Sequence, residues 1–254
     1  MRGFVGLLTT ILMVGCGGND ENVIYNSEES DAIQISGAGI KGPLAFADVK
    51  LYALNPSFQD YYDRASPISI AITNQYAEIN ELSVPRKHKP PYILVIDGSN
   101  GIDLNSGEAP IIDILITVIT DDMLANNHPI FATPLTTLTF HMARLNSVST
   151  PHTNKKTARN SFVENIHNAA NIVSSAFVFG QDRDIDIFKS PLIINEYTSY
   201  LHDQELAVYH RAAVEAFAAK VYALGLSENM STDAIIENLA LDIYGDGIID
   251  GLDQ

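Results

Sequence analysis

The chain has 254 residues, with 15 Lys or Arg against 31 Asp or Glu, 46% apolar residues and a formal net charge of -16. That charge argues against a nucleic-acid partner, because phosphate binding needs clustered Lys and Arg side chains, and against electrostatic docking on anionic lipid. The apolar fraction argues against a disordered chain, and the length predicts one or two domains that fold without disulfides.

The N-terminal segment has the features of a secretory signal. Arg2 is its only charged residue, and residues 4–14 form an apolar run that is too short for a bilayer, since a span needs about 20 residues. The run leads into Cys16, the only cysteine of the sequence. This arrangement resembles the lipobox of bacterial lipoproteins, although Met13 stands where that family prefers Leu. The resemblance implies cleavage after Gly15 and a covalent lipid on the Cys16 sulfur.

A polar stretch predicts a flexible tether over residues 16–31, after a signal peptide over residues 1–15. In lipoproteins an Asp directly after the cysteine often marks retention in the inner membrane, so Gly17 favours the outer membrane. Each buried methylene of an acyl chain such as palmitate contributes about 0.8 kcal/mol, so two or three chains anchor firmly. We therefore expect a lipid-anchored envelope protein, on the periplasmic or the surface side of the outer membrane. The alternative is a cleaved signal, or a buried helix, that holds a cysteine by chance.

Residues 32–133 are predicted to form an antiparallel β-sandwich, because period-two patterns are separated by Gly, Pro, Asn and Asp. Residues 121–129 are predicted to be a polar loop before the last strand. The predicted strands cover residues 32–36, 49–53, 68–73, 92–96, 111–119 and 130–132.

Four motifs in this region carry a second resemblance. They are SGAGIKGPL at residues 36–44, ADVKLY at 47–52, ILVIDG with ID and SG within 93–107, and TPLTTL at 133–138. Together they look like a carboxypeptidase-regulatory-like, prealbumin-type β-sandwich module, which recurs in bacterial surface lipoproteins. That family usually has a Thr-Asp-x-x-Gly hairpin turn, but the sequence from Thr73 to Tyr76 has no glycine, which leaves the turn type open. The resemblance implies a spacer or docking surface without a catalytic centre.

Residues 134–254 are predicted to form a small α-helical bundle, so the whole chain is predicted to be α+β, with an Ig-like or prealbumin-like sandwich first. Apolar side chains recur three or four residues apart over residues 162–177 and 206–224, with a helix stop at Gly225. The other two helices are predicted over residues 136–146 and after Ser231 or Thr232, either of which can cap a helix.

The C-terminal sequence DIYGDGIIDGLD looks like the calcium loop of dockerins. A twelve-residue loop wraps six to eight oxygen atoms around calcium, with a glycine at the sharp turn. Tyr244 departs from the pattern, because it stands where an oxygen ligand is expected. A solvated acidic turn is the alternative. The predicted ligands are Asp242, Asp246, the carbonyl oxygen of Ile248, Asp250 and Asp253.

Three functions of different classes remain. We favour a non-catalytic envelope lipoprotein that acts as a surface interaction or structural module, held in the membrane by its lipid and recognising a protein or glycan. A calcium-dependent adhesion or binding module is the second. The third is a hydrolase with an unrecognised site, although the sequence has no HExxH, GxSxG, P-loop or GxGxxG motif and its histidines show no metal-ligand spacing. We therefore predict that the protein is not an enzyme.

Overall fold

The computed structural model describes residues 32–148, 155–177, 186–189 and 201–246, and its fold is mixed α+β, as predicted. The signal peptide, the tether and Cys16 lie outside the described residues. In chain order the elements are β1 (Ala32–Gly39), β2 (Leu44–Ala45), β3 (Asp48–Ala53), β4 (Ser69–Ile72), β5 (Glu78–Pro85), β6 (Tyr92–Asp97), β7 (Ile102–Asp103), β8 (Ile114–Ile119), α1 (Asp121–Ala125), β9 (Ile130–Ala132), α2 (Pro134–Val148), α3 (Lys155–Ala176), α4 (Leu201–Glu228) and α5 (Thr232–Asp246).

The strands form three sheets. The largest has four antiparallel strands in the order β4-β3-β6-β8, and the second has the order β5-β1-β9, with β1 and β9 parallel. The third is the short pair of β2 and β7. Apolar side chains from the two larger sheets and from α2, α3, α4 and α5 form one continuous hydrophobic core.

The two continuous apolar runs of the sequence became strands that are buried on both faces. Five residues of β6 and five of β8 are buried. In the sheet a strand presents alternate residues to opposite faces, so an apolar residue at every position requires cover on both sides. The helix α2 packs against β8 and supplies part of that cover.

The predicted strand over residues 68–73 is confirmed as β4, and its isoleucines lie on the exposed face. Ile70 and Ile72 are 68% and 63% exposed, so the apolar face of this edge strand points outward. The register with β3 explains this orientation, because Ile70 pairs with Lys50 and Ile72 with Asp48. Val49, on the opposite face of β3, is fully buried and fixes which face of the sheet meets the core.

The hairpin between β4 and β5 closes without a glycine. The Asn74 side-chain oxygen accepts the N–H groups of Tyr76 (2.8 Å) and Glu78 (3.0 Å). Ala77 stands at the position where the family pattern has its glycine, and it lies in the left-handed region with a φ of 64°. The side chain of Asn74 therefore organises the turn, and the strand that follows, β5, was not predicted.

Most of the predicted helices are confirmed, with two corrections. The α3 stripe Phe162, Ile166, Ala169 and Val173 is buried as expected. The helix α5 begins where it was predicted, and α2 begins two residues earlier than predicted, at Pro134. Residues 121–129, however, are not all loop, since they include the short helix α1, whose first two residues are the helix-favouring acids Asp121 and Asp122.

The helix α4 does not stop at Gly225, as predicted, but continues to Glu228. The stop is Asn229, which adopts a left-handed φ of 55°. The N–H of Met230 then returns to the carbonyl oxygen of Gly225 (3.0 Å), which is the Schellman pattern at a helix C-terminus. Gly225 lies one turn before that end, and the returning chain passes so close that a Cβ atom there would lie 3.0 Å from the Met230 carbonyl oxygen.

Candidate functional site

The TPLTTL motif joins the outer edge of β8 to the start of α2. The Thr136 hydroxyl donates to the carbonyl oxygen of Ile116 (2.7 Å), and the N–H of Ile116 donates to the Thr137 hydroxyl (2.8 Å). The Thr133 hydroxyl accepts the N–H of Thr136 (3.1 Å) and caps the helix. All three threonines are buried. The motif therefore forms a structural joint between a sheet edge and a helix.

A second joint ties the strands to α4 through Lys41. The Lys41 ammonium lies 3.3 Å from a carboxylate oxygen of Asp103 and 3.3 Å from one of Glu215 on α4. Asp103 is buried, and its Oδ1 also accepts the N–H of Asn105 (2.9 Å). Gly42 leaves the room for this carboxylate, because a Cβ atom there would come within 1.9 Å of the Asp103 Oδ1. The KGPL and ID motifs of the sequence thus meet at one contact.

A third joint centres on Arg144 of α2, which is only 5% exposed. Its guanidinium donates to Asp60 (3.2 Å), in the segment between β3 and β4, and to Glu237 on α5. The exposed Arg64 donates to the other carboxylate oxygen of Asp60 (2.7 Å). This network was not predicted from the sequence, since its members are far apart in the chain and follow no short motif.

His141 and Asp233 form a neighbouring pair between α2 and α5. Their nitrogen and oxygen lie 3.4 Å apart. Burial acts to raise the pKa of Asp233. The hydrogen bond with His141 and the positive charges of His141, Arg64 and Arg144 outweigh burial, so the Asp233 pKa is lowered. The His141 Nδ1 is buried without a hydrogen-bond partner. Among the described residues no hydroxyl or thiol is bonded to this imidazole, so the pair has no nucleophile to activate.

A cavity of about 520 Å³ lies where β8, α1, β9 and α3 meet. Its apolar lining includes Met123, Phe131 and Phe188, and its polar lining includes the exposed His128 and His167. No sequence pattern connects these two histidines, and the fold alone brings them to one cavity. Such a cavity can take an apolar group beside two imidazoles.

The cavity also has two hydroxyl groups in its lining. Thr117 and Thr120 line it and are buried. Within the described parts of the chain, neither hydroxyl is hydrogen bonded to His128 or to His167. These threonines and histidines therefore do not form a hydrogen-bonded pair of nucleophile and base in this structure.

The predicted calcium ligands are only partly described. Asp242 and Asp246 lie in the last two turns of α5, and Asp242 is buried. Ile248, Asp250 and Asp253 lie outside the described residues. Over residues 32–148, 155–177, 186–189 and 201–246, the His, Cys, Asp and Glu side chains form no group of three that could hold a metal ion. The calcium site stays a prediction.

Comparison with protein-family models, with curated proteins and with solved structures finds no match to this chain. In the part of the chain that the structure describes, no helix has both the length and the hydropathy that a membrane crossing requires.

Proposed function

We propose that this chain is a non-catalytic lipoprotein of the cell envelope, anchored through a lipid on Cys16, and that its folded part is an interaction or structural module. The folded part begins with β1 at Ala32. At about 3.3 Å per residue, the tether of residues 16–31 can hold that part up to about 50 Å from its lipid. A module on such a tether can reach a partner beyond the membrane surface.

The observation that carries the proposal is the position of the buried charged side chains, which connect structural elements and do not line the cavity. Enzymes concentrate charged groups with perturbed pKa values in a cleft. Here the buried Asp103 and Arg144 instead bridge secondary-structure elements through Lys41, Asp60 and Glu237. None of these five residues lines the 520 Å³ cavity. Because these charges link parts of the fold and lie away from the cavity, they favour a structural or interaction role over catalysis.

The first two joints also support the proposed prealbumin-type sandwich. In our proposal the KGPL, ID and TPLTTL motifs characterise such a module because their residues make specific contacts between its elements. Gly42 admits the Asp103 carboxylate, and the hydroxyls of Thr136 and Thr137 satisfy the β8 edge. The two larger sheets would then be the two layers of the sandwich.

Replacing Cys16 with serine in the full chain tests the anchor. We expect the unsubstituted protein to sediment with bacterial envelopes and to resist a high-salt and alkaline wash, whereas Cys16→Ser releases it. Mass spectrometry of the N-terminal peptide should show cleavage before Cys16 and the added mass of acyl chains. Retention of the Cys16→Ser protein in washed envelopes would refute the proposal. A Gly17→Ser variant is the matched control, and it should remain anchored.

A further inference from the structure

Exposed apolar side chains lie along one face of α4, from Leu201 to Leu226. Leu201, Val208 and Leu226 are 69%, 54% and 68% exposed. Ala212 and Ala219 are exposed as well. In chain order the five positions 201, 208, 212, 219 and 226 are seven, four, seven and seven residues apart, so all five side chains lie on one face of the helix. At 1.5 Å per residue this face is about 38 Å long. We define it as the α4 outer face.

This face lies opposite the side that α4 turns to the core. Val214, Phe217 and Val221 are buried on that inner side. A helix that is apolar on both sides normally has a neighbour on both sides. The inner neighbours are α2 and α5, and the outer face has none among the described residues.

The outer face is complementary to a second copy of itself. An antiparallel pairing of two α4 helices, about a twofold axis midway between positions 213 and 214, sets Leu201 against Leu226 and Val208 against Ala219 of the other copy. The Val208 side chain of each copy thus faces the small Ala219 side chain of the other, and the leucines face each other at the two ends of the interface. A twofold contact requires this kind of self-complementarity.

The charges beside the face follow the same symmetry. On one side of it, Glu205 of one copy comes next to Lys220 of the other, and both side chains are exposed. On the opposite side, Arg211 comes next to Glu215, whose other neighbour is Lys41 of its own chain. Four complementary pairs then flank the apolar residues, although the chain as a whole has a net charge of -16. The central Glu215, which this pairing sets against Ala212 of the other copy, has Arg211 of that copy and Lys41 of its own chain as counter-charges.

We propose that the α4 outer face is a homodimer interface in which two copies of this chain pair their α4 helices in an antiparallel arrangement. This inference deepens the proposed interaction role by naming a partner. It does not depend on the anchor, so it is tested on residues 17–254, a chain that contains all of the described residues and no cysteine.

Sedimentation equilibrium across the micromolar range tests the interface. We expect a dimer for the unsubstituted chain, and Val208→Glu or Leu226→Glu should raise its dissociation constant about tenfold or more, because each places a charge on the apolar face that the two copies share. Ile70→Glu is the matched control, since Ile70 is equally exposed on β4, and it should leave the dimer intact. Circular dichroism verifies that each variant is folded.

Two further variants test the orientation. Val208→Cys with Ala219→Cys should form an intermolecular disulfide in the antiparallel dimer, whereas Val208→Cys alone should not. Glu205→Lys should weaken the dimer, and adding Lys220→Glu should restore it. A monomeric unsubstituted chain would overturn the inference and leave the face to another partner. A dimer that survives Val208→Glu, or that crosslinks through Val208→Cys alone, would overturn it as well.

Discussion

The strand half of the molecule, β1 to β9, and the helical half, α2 to α5, are held together in different ways. In the strand half and at its contact with α2, stability depends on specific fits between single groups, such as Gly42 against Asp103 or the Thr136 hydroxyl against the Ile116 carbonyl. In the helical half, apolar stripes share the burial among many side chains, and α4 is apolar even on its exposed face.

The two kinds of contact should respond differently to substitution. A fit between two particular atoms fixes one geometry and fails abruptly when one atom is changed, whereas an apolar stripe tolerates exchange as long as volume is kept. We therefore expect substitutions in the strand joints to have larger effects on stability than substitutions on the helices. The following experiments compare the two halves.

Gly42→Ala should have the largest effect. The added Cβ would lie 1.9 Å from the Asp103 Oδ1, so the carboxylate must leave its place beside Lys41. We expect a loss of about 3 kcal/mol or more in the free energy of unfolding, measured by urea denaturation. Gly107→Ala is the control, because Gly107 has open space around it and only its φ of 74° opposes a side chain. That control should cost about 1 kcal/mol, and equal losses for both variants would contradict the specific fit.

Thr136→Val should have the next largest effect. The isosteric valine leaves the carbonyl oxygen of Ile116 and the N–H of Thr133 buried without the hydroxyl that bonds both. We expect a loss of about 2–3 kcal/mol in the free energy of unfolding.

Thr139→Val is the matched control on the same helix. Its hydroxyl bonds only the Leu135 carbonyl oxygen within α2 (2.9 Å), so thermal and urea unfolding should show a loss below about 1 kcal/mol. If Thr136→Val were as mild as this control, the hydroxyls would not be what joins α2 to β8.

Arg144→Met should have an intermediate effect. It removes the buried guanidinium that links α2 to Asp60 and to Glu237, but both carboxylates are partly exposed and can be hydrated. We therefore expect a loss of about 1–2 kcal/mol in urea denaturation, below that of a fully buried ion pair. Arg64→Met, at a side chain that is 68% exposed, should cost less than about 0.5 kcal/mol. A neutral Arg144→Met variant would show that the third joint does not stabilise the fold.

Alkaline pH should have the smallest and most gradual effect. The pKa of Tyr62 is raised to about 12, chiefly by burial; the Arg64 charge opposes this shift, and the Asp60 and Asp233 carboxylates contribute to it. Because the folded state holds this phenol neutral, its contribution to stability is complete below about pH 10, the ordinary tyrosine pKa, and is lost as the pH rises through about 12.

The ultraviolet absorbance of phenolate, followed together with unfolding, measures this effect. Tyr62→Phe should reduce the alkaline loss of stability. Tyr76→Phe should not, because Tyr76 is exposed. Ionisation of Tyr62 at the ordinary tyrosine pKa, without unfolding, would contradict its burial.

The sequence predicted the helical elements better than the strands. The stripe of α3 needed only helical periodicity, and the cap of α5 at Ser231 was visible in the sequence. The end of α4 was missed because a left-handed Asn229, and not the nearer Gly225, terminates it. In the strand half, periodicity was ambiguous at β4, where the register with β3, and not the pattern of Ile70 and Ile72, decided which side faces the core.

The candidate sites could be predicted less well. Lys41 and Asp103 lay in recognised motifs, but their contact with each other and with Glu215 follows from tertiary packing. The same holds for Arg144 and for the cavity beside His128, which collect residues from distant parts of the chain. Short sequence patterns carry no information about such long-range tertiary contacts.

The hydroxyl groups at Ile116 have a consequence for self-association during folding. An open strand edge allows partly folded copies of a chain to add strands to it and grow into fibrils. Once α2 docks, Thr136 and Thr137 occupy the backbone groups of Ile116 that such a neighbour would use. The joint therefore protects newly folded molecules from polymerising along β8.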